Sequence, residues 1–528
     1  MGNATAVARP VSRRQVLAGT GALALSAVAL SACSRQQGAP GDAGQQTGVP
    51  RRGGTLTFAT NASTATEKLD PQQANGPSKY MRNLAVFDTL VAVTADGWKV
   101  QPRLAESWEP SADLMSWRFI LRKGVTFHDG RPLEAKDVVW TFRRVLDENV
   151  GSGAFARFSR TMTPEGITAP DASTVMITLT SPDSLLPYAF ATPDTVIVKD
   201  GQQTFDVSTS IGTGPYTLVS WTPGQSLEMQ RNPNYWDGDL PYLDALRRVD
   251  APDEATASQG VLSGNFDVAE AVSYAAGDQL GRSPNAQLIR LRNITSLVAV
   301  MDTTQPPFTD NRVRQAFKLA VDREAVLNTV FAGFGEVTSD LMMAPSDPYY
   351  PDDLDQVTYD PDQARSLLAA AGFPGGVDVD LWAYGTYTPL AVAYAQTAKA
   401  AGIRANVQQG NPDDYFDVIY LREKFYASDW QQFFPGDLLW YCFGSGSVAN
   451  ESKLNFPAID ELYNKALRTT DTAEQQTFIK EGLALAAQNM GLIIPAMADQ
   501  LLLAKTNVQG ITSAPATRYD LRNAYLSA

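Results

Sequence analysis

The spacing of hydrophobic and polar positions changes within residues 102–142, the most regular stretch of the chain. Apolar and polar positions alternate over residues 117–122, and this period of two predicts a strand with one apolar face. A turn is predicted at residues 128–132, where glycine and proline fix the backbone. The period then lengthens, and Val138 and Phe142 lie on one side of a helix. The stretch therefore predicts a strand, a turn and an amphipathic helix that pack on something larger.

The same two periods recur along the rest of the chain. Residues 377–381, 389–401 and 403–407 predict a strand, a helix and a strand, and such a connection makes the two strands parallel. We therefore predict an α/β fold, without an internal repeat. The other predicted elements are strands at 55–60, 175–179, 216–221, 244–251, 266–269 and 297–301, and helices at 254–262, 311–321, 361–371, 457–468 and 472–490.

Residues 1–52 have the composition of an export signal and a tether. Residues 12–17 (SRRQVL) match a twin-arginine pattern, and residues 30–33 (LSAC) match a bacterial lipobox in which Cys33 carries the lipid. A short transmembrane helix is the alternative, but the apolar run is short and rich in small residues. Residues 1–32 are thus a predicted signal peptide and residues 33–52 a flexible tether. We expect a bacterial protein anchored by lipid to the extracytoplasmic face of the cell membrane.

Charge and composition exclude several classes of function. The net charge is −14, and the first 52 residues carry six Arg and one Asp, so the remainder carries −19. Such a surface repels phosphate backbones, which excludes nucleic acid as a partner. His128 is the only histidine, so a His-rich zinc site cannot be built. With Cys33 lipidated, Cys442 has no partner for an intramolecular disulfide.

An enzyme is the competing class of function, and its motifs would be visible in the sequence. No phosphate-binding loop or nucleophile elbow occurs, and the glycine-rich residues 444–449 do not lead into a convincing helix. His128 sits in a tight turn, where a hydrogen-bonded structural role is expected. We therefore expect no metal, no cofactor and no enzymatic activity. A hydrolase built on two carboxylates is the alternative, since an acidic chain can supply them.

Four stretches, in order, carry a resemblance to a known family. They are residues 104–139 (LAESWEPSADLMSWRFILRKGVTFHDGRPLEAKDVV), the pair 212–216 and 231–236 (GTGPY and RNPNYW), residues 307–314 (PFTDNRVR) and residues 359–361 (YDP). In sequence and in order they resemble the family-5 extracellular solute-binding proteins of ABC importers, and the resemblance covers residues 53–528. The resemblance implies a two-lobed periplasmic-binding-protein-like fold with an extra third domain and a ligand cleft between the lobes. It also implies delivery of a solute to ABC permease subunits.

The resemblance also implies a division into domains. Lobe I would comprise residues 53–90, 206–295 and 498–528, an additional domain II residues 91–205, and lobe III residues 296–497. The chain then crosses between the lobes near residues 292–297 and again near residues 495–500. Two crossings leave a hinge and a cleft, where ligand sites are favoured. We expect a monomer.

Candidate binding residues lie where relatives contact ligand and where aromatic residues concentrate. Residues 425–443 hold eight aromatic residues, whose faces can stack on peptide planes or on sugars. The resemblance places Trp430 just before a turn that contacts ligand. It also places Ser63 and Thr64 in a loop that faces the ligand.

One position departs from the pattern of the peptide-binding members. These carry an aspartate three residues after the tryptophan, which pairs with the ligand's amino group, and here Phe433 occupies that position. Asp437 or Asp429 could substitute, although neither is in register. We predict a peptide or peptide-like ligand, with an oligosaccharide or another non-peptide ligand as the alternative. A chaperone or sensor role for the same fold stays open.

Overall fold

The computed structural model describes residues 49–60, 66–74, 77–270, 272–411, 415–514 and 518–527. The predictions at Cys33, Ser63 and Thr64 fall outside these residues. The strands are β1 Thr55–Thr60, β2 Val91–Val93, β3 Val100–Pro102, β4 Ala105–Pro110, β5 Ser116–Leu121, β6 Met162–Thr168, β7 Thr174–Leu179, β8 Tyr216–Thr222, β9 Ser226–Arg231, β10 Ala245–Asp250, β11 Val268–Ala269, β12 Ala286–Met301, β13 Gly335–Val337, β14 Val377–Ala383, β15 Ile403–Gln409, β16 Phe425–Gln431, β17 Leu492–Ile493, β18 Ala496–Lys505, β19 Val508–Gln509, β20 Thr512–Ala514, β21 Arg518–Asp520 and β22 Tyr525–Leu526.

Helices alternate with these strands, as the sequence predicts for an α/β chain. Short 3-10 turns and one π-helical turn, Tyr415–Ile419, complete the elements. The α-helices are α1 Pro77–Val86, α2 Ala135–Val145, α3 Phe155–Phe158, α4 Leu186–Ala189, α5 Glu254–Leu262, α6 Tyr274–Leu280, α7 Asn311–Leu319, α8 Arg323–Val330, α9 Pro361–Ala370, α10 Thr388–Ala398, α11 Pro435–Tyr441, α12 Pro457–Ala466 and α13 Thr472–Asn489.

One large mixed sheet runs through the molecule in the strand order β15-β14-β16-β12-β18-β11-β1-β10-β9-β8. β1 is parallel to both β10 and β11, and β14 is parallel to β15, as predicted for the strand–helix–strand unit. We call β1 and β8–β11 the amino-terminal half-sheet and β14–β16 the carboxy-terminal half-sheet. β12 and β18 lie between the two halves.

β12 and β18 connect the two half-sheets as an antiparallel pair. They are in register from Ala286 opposite Lys505 to Leu291 opposite Gln500. The register then shifts, and Thr295 lies opposite Ala498. From Thr295 onward β12 also pairs with β16 of the carboxy-terminal half-sheet. The chain therefore passes between the half-sheets twice, near the predicted positions, whereas the domain boundaries themselves stay a prediction.

β12 is much longer than the predicted strand at residues 297–301. Its first half carries arginines and a glutamine, which obscure the apolar pattern. Arg290 is nevertheless buried, because its guanidinium lies 2.6 Å from the carboxylate of Asp499. An ion pair with a residue two hundred positions away thus lets a charged side chain sit inside the sheet.

The hydrophobic core is divided into clusters that follow the sheets. One cluster packs on the carboxy-terminal half-sheet and contains Phe317 and Phe425, and another packs on the amino-terminal half-sheet and contains Phe58. A third lies between α2 and a separate four-stranded sheet of order β4-β5-β7-β6. Trp98 and Leu185 belong to the first cluster although they are far from it in sequence.

The regular stretch at residues 102–142 folds as predicted. β5 buries the side chains of Trp117, Phe119 and Leu121, and α2 begins at Ala135. The His128 ring is buried and hydrogen-bonded at both nitrogens, because Nδ1 accepts from the Gly212 amide (3.3 Å) and Nε2 lies 3.0 Å from the Gly214 carbonyl. Burial lowers the pKa of this histidine, which is consistent with a neutral, structural imidazole.

Candidate functional site

A cavity of about 1120 Å³ lies beside the crossing of β12 and β18. Its walls combine cationic residues such as Lys99 and Arg290 with anionic residues such as Asp96 and Glu336. A cavity with both signs of charge suits a polar or zwitterionic ligand better than a purely apolar one. The lining comprises residues 95–97, 99, 287, 289–293, 336, 344, 346–348, 432 and 508–513.

A second, smaller cavity of about 80 Å³ lies where the segment after β16 meets the amino-terminal part of the chain. Phe433, Phe434 and Asp437 line it from one side, and Asp88 and Arg522 line it from the other. Gln432 lines the larger cavity. The segment that follows β16 therefore borders both cavities, which is where the sequence predicted ligand contacts.

Trp98 is a residue of this region that the sequence did not single out. It lies in the loop between β2 and β3, is 3% exposed and lines the smaller cavity. Its indole N–H donates to the carboxylate of Asp347 (2.8 Å), and its ring contacts that of Phe434 (5.9 Å between centroids). The preceding Asp96-Gly97 turn was the available signal. Trp98 joins the amino-terminal part of the chain to the carboxy-terminal core.

Trp430 is the penultimate residue of β16 and pairs with Ser296 of β12. Its ring makes edge contacts with Phe433 (5.9 Å) and Tyr441 (6.1 Å). Phe433 and Asp437 line the smaller cavity, whereas Trp430 lines neither of the two cavities. The structure thus places Trp430 directly behind Phe433, as a support for the residue that faces the smaller cavity.

A buried carboxyl group lies beside Trp430. Tyr426, Ser428 and Trp430 occupy every second position of β16 and therefore project from the same face. Glu451 lies against this face and is 2% exposed. The hydroxyl of Ser428 donates to Glu451 (3.2 Å). Burial raises the pKa of Glu451 to about 8, against the lowering effect of the hydrogen bond from Ser428. Nothing in the sequence around residue 451 indicated this group.

Asp437, one candidate substitute for the missing aspartate, already has protein partners. Its carboxylate lies 3.3 Å from Nε of Arg157 and accepts a hydrogen bond from Nε1 of Trp440 (2.9 Å). Burial raises the pKa of Asp437, while the charge of Arg157 acts in the opposite direction. Arg157 also pairs with Asp183 at 2.9 Å. Asp437 lines the smaller cavity, but its charge is balanced within the protein.

Asp429, the other candidate substitute, lies on the opposite face of β16 from Trp430 because successive strand residues alternate. The hydroxyl of Tyr387 donates to its carboxylate. Neither aspartate near Trp430 is thus held ready for a ligand ammonium group.

Residues of the four-stranded-sheet region close one side of the site. The ring of Tyr188 stacks on that of Phe434 at 3.7 Å between centroids. The guanidinium of Arg160 lies 4.7 Å from the ring centre of Trp440, and the amide of Ser184 donates to the Leu467 carbonyl (3.0 Å). These contacts join the region around α3 and α4 to the carboxy-terminal core, so the candidate site is enclosed by three parts of the chain.

Metal-binding clusters and membrane-spanning helices are both absent from the residues that the structure describes. These residues contain no group of three or more His, Cys, Asp or Glu residues placed to hold a metal ion. None of their helices is long and apolar enough to cross a membrane.

Residues 99–445 match the family model described as bacterial extracellular solute-binding proteins, family 5 middle. The heme-binding protein A of Haemophilus influenzae is 27% identical over 497 residues, covering 87% of this chain and 90% of that protein. The glutathione-binding protein GsiB of Escherichia coli is 26% identical over 490 residues, covering 87% and 92%.

Solved structures of similar proteins share the two-lobed fold. The binding protein AgaA of A. tumefaciens R10, in complex with agropinic acid, is 25% identical with a TM-score of 0.75, covering 90% of this chain and 99% of that one. The periplasmic binding protein DppA of Helicobacter pylori, in complex with the peptide STSA, is 21% identical with a TM-score of 0.77, covering 90% and 99%. The match spans both half-sheets, so the predicted two-lobed fold is confirmed.

Proposed function

We propose a ligand-delivery role for this chain, which belongs to the bacterial extracellular solute-binding proteins of family 5. The chain captures a small peptide or peptide-like compound between its two lobes and passes it to the permease of an ABC importer. Similar proteins of this length are named for heme, glutathione and dipeptide binding. A binding protein rather than an enzyme is in keeping with that family.

The observation that carries this proposal is the cavity of about 1120 Å³ beside the crossing of β12 and β18. Its lining includes Gln432, which follows β16 in one half-sheet, and residues 508–513, which follow β18 toward the other. A ligand there contacts both lobes. Such a ligand favours the closed arrangement, because it binds that arrangement more tightly than an open one.

The environment of Phe433 supports a ligand without a free amino group at that end. A buried ammonium group needs a paired anion, and leaving it unpaired costs several kcal/mol. Asp437 is paired with Arg157, and Asp429 accepts from Tyr387. Peptides blocked at the amino end, or compounds with an apolar group there, therefore fit this position better than free dipeptides.

The proposed cellular setting follows from the amino-terminal sequence. Cys33 carries the lipid, residues 34–52 form the tether, and the folded part acts as a monomer at the membrane surface. Changing Cys33→Ala is expected to release the protein into the medium with its fold intact. Retention on membranes after detergent-free washing would contradict the lipid anchor.

Calorimetry with matched ligands tests the proposed ligand class. The panel contains a dipeptide, its N-acetylated form, glutathione, heme and a short oligosaccharide, and each bound compound is recovered to show that it is unchanged. The N-acetylated peptide is expected to bind more tightly than the free one. Binding of the free peptide alone, abolished by Asp437→Asn, would assign the ammonium-pairing role to Asp437. Binding of the sugar alone would overturn the peptide proposal.

A further inference from the structure

Glu336 lies on the wall of the larger cavity as a carboxylate without a cationic partner. It belongs to β13, is half-buried and lines the cavity of about 1120 Å³. Its oxygen Oε1 accepts a hydrogen bond from the side-chain amide of Asn293 (2.7 Å) and another from the hydroxyl of Ser346 (2.8 Å). Both donors are neutral, and within the described part of the chain Oε2 has no hydrogen-bond partner. One oxygen of this carboxylate therefore stays available at the cavity.

The other carboxylates that line the same cavity lack this combination. Oδ2 of Asp347 accepts the indole N–H of Trp98 (2.8 Å), and Oδ1 accepts the backbone amide of Tyr349 (2.9 Å), so both of its oxygens are in use. Asp96 is exposed, and water solvates its charge. Glu336 is thus the carboxylate of this lining that is half-buried and keeps an unused oxygen.

The residues that hold Glu336 in place leave its negative charge unbalanced. Asn293, whose side chain donates to Glu336, also donates through its backbone amide to the carboxylate of Asp499 (3.1 Å). Asp499 in turn pairs with the guanidinium of Arg290 at 2.6 Å. This chain of contacts contains one guanidinium and two carboxylates. Arg290 balances Asp499, and no member of the chain balances Glu336.

Two further cations line the cavity without supplying the missing charge. Lys99 and Arg292 are both exposed, and in the described part of the chain neither forms an ion pair with Glu336. Water and salt screen charges in such exposed positions. A ligand that fills the cavity takes water away from Glu336, and a carboxylate that loses water without gaining a cation is costly. The cavity therefore favours a ligand that brings a positive charge to Oε2.

We propose that Glu336 binds an ammonium group on a side chain of the ligand. A guanidinium pairs best with both oxygens of a carboxylate at once, whereas an ammonium is a compact charge that needs only one. Oε1 of Glu336 already accepts two hydrogen bonds, so a lysine-like side chain fits Oε2 better than an arginine-like one. The inference rests on the proposed function and narrows it. Gln432 lines the larger cavity and Phe433 the smaller one, so a ligand with a blocked amino end at Phe433 can place its ammonium group at Glu336.

Calorimetry of the full-length chain with matched peptides tests the ligand side. N-acetyl-lysyl-phenylalanine is compared with N-acetyl-norleucyl-phenylalanine, and N-acetyl-phenylalanyl-lysine with N-acetyl-phenylalanyl-norleucine. Norleucine keeps the carbon chain of lysine and lacks its ammonium group. In at least one pair the lysine peptide is expected to bind about tenfold more tightly, the scale of one charge-assisted hydrogen bond. The corresponding arginine peptide is expected to bind more weakly than the lysine peptide.

Two variants of equal charge test the protein side. Glu336→Gln removes the charge and keeps the side-chain size and an oxygen that accepts from Asn293 and Ser346. In this variant the preference for lysine over norleucine is expected to fall below about twofold, while the norleucine peptide binds as before. Glu324→Gln is the matched control, because Glu324 is an exposed glutamate on α8 that lines neither cavity. The control is expected to keep the tenfold preference, which separates a local pairing from the general attraction of an acidic protein for cations.

Several outcomes overturn the inference while peptide binding itself stands. Equal binding of the lysine and norleucine peptides by the unmodified chain is one, and it stays decisive even if Glu336→Gln does not fold. A preference for lysine that Glu336→Gln leaves unchanged, or that Glu324→Gln reduces equally, is another. Tighter binding of the arginine peptide overturns the choice of an ammonium group. Absence of binding of every peptide, with binding of heme or the sugar, overturns the proposed function and the inference together.

Discussion

Two glutamates are buried to a similar degree in different parts of the molecule, and their surroundings give them opposite properties. Glu67 is 5% exposed and lies between the guanidinium groups of Arg82 (2.7 Å) and Arg248 (2.8 Å). Glu451 is 2% exposed and accepts a hydrogen bond from the neutral hydroxyl of Ser428 (3.2 Å). Burial by itself raises the pKa of both, but at Glu67 the hydrogen bond and charge of Arg248 outweigh it and lower the pKa.

Glu67 is held as a carboxylate by arginines, whereas Glu451 is held as a carboxyl group by a neutral donor. Around Glu67, two arginines and the carboxylates of Glu67 and Asp250 balance one another inside the protein. The Glu451 group supports Trp430 with a carboxyl that has a pKa of about 8 and is mostly protonated at neutral pH. Substitutions at the two positions should therefore differ in size and in their dependence on pH.

The largest effect is expected for Glu67→Gln. The change leaves the buried Arg82 without its ion-pair partner, while Arg248 keeps the carboxylate of Asp250 at 3.1 Å. Removal of one partner from a buried ion pair typically costs about 3–5 kcal/mol of unfolding free energy. Because the pKa of Glu67 is lowered in the folded state, its contribution is present at neutral pH and is lost as the pH falls through that pKa. Urea denaturation at pH 7 measures the loss. Glu109→Gln, which breaks an exposed pair with Arg118, is the control and should cost less than about 1 kcal/mol.

Glu451→Gln is expected to act through pH. A carboxyl whose pKa is raised from 4.5 to about 8 stabilises the fold fully below pH 4.5 and loses that stabilisation as the pH rises to 8, by up to about 1.4 kcal/mol per pH unit. Glutamine resembles the protonated form and does not titrate. The variant should therefore gain stability relative to the original chain between pH 5 and pH 9. If the unfolding free energies of the variant and the original chain depend on pH in the same way, the raised pKa of Glu451 and its contrast with Glu67 are contradicted.

Trp430→Ala tests whether the tryptophan beside Glu451 contributes to ligand binding. Loss of the ring that lies behind Phe433 should weaken ligand binding by about 1–3 kcal/mol, the scale of one buried aromatic contact. Calorimetry with N-acetyl-alanyl-phenylalanine measures the change. Trp108→Phe, in the four-stranded sheet, is the control and should leave the affinity unchanged. Equal affinity of the Trp430 variant would return this tryptophan to a purely structural role.

The smallest effect is expected for Cys442→Ser. Cys442 is 2% exposed and free, and a buried thiol packs as a small hydrophobic side chain. The hydroxyl should cost about 1 kcal/mol of stability. Light scattering should show a monomer for both proteins, and a dimer that reducing agent dissociates would contradict this expectation.

Local pattern predicted the elements whose burial is one-sided. β5 buries one face, and α2 carries its large apolar side chains Val138 and Phe142 on one side, so their periods are visible in the sequence. The first half of β12 was missed because Arg290 is buried only through Asp499, and that contact is set by the three-dimensional fold. A period cannot report a partner two hundred residues away.

The candidate site was predictable in its position and less so in its chemistry. The aromatic segment around Trp430 and Phe433 does border the two cavities. The pairing of Asp437 with Arg157, the contact of Trp98 with Asp347 and the burial of Glu451 all depend on residues from distant parts of the chain. Side-chain partners across the fold decide whether a carboxylate is available to a ligand.

The register shift in β12 has a mechanical consequence. Residues 292–294 have no register partner on β18, and Asn293 adopts a left-handed backbone (φ 55°) whose amide donates to the Asp499 carboxylate (3.1 Å). We expect the pair of strands to twist most easily at this point, because no register pairing between β12 and β18 spans it. A rotation of one half-sheet against the other would then be absorbed mainly by residues 292–294, while the ladder pairs on either side keep their register.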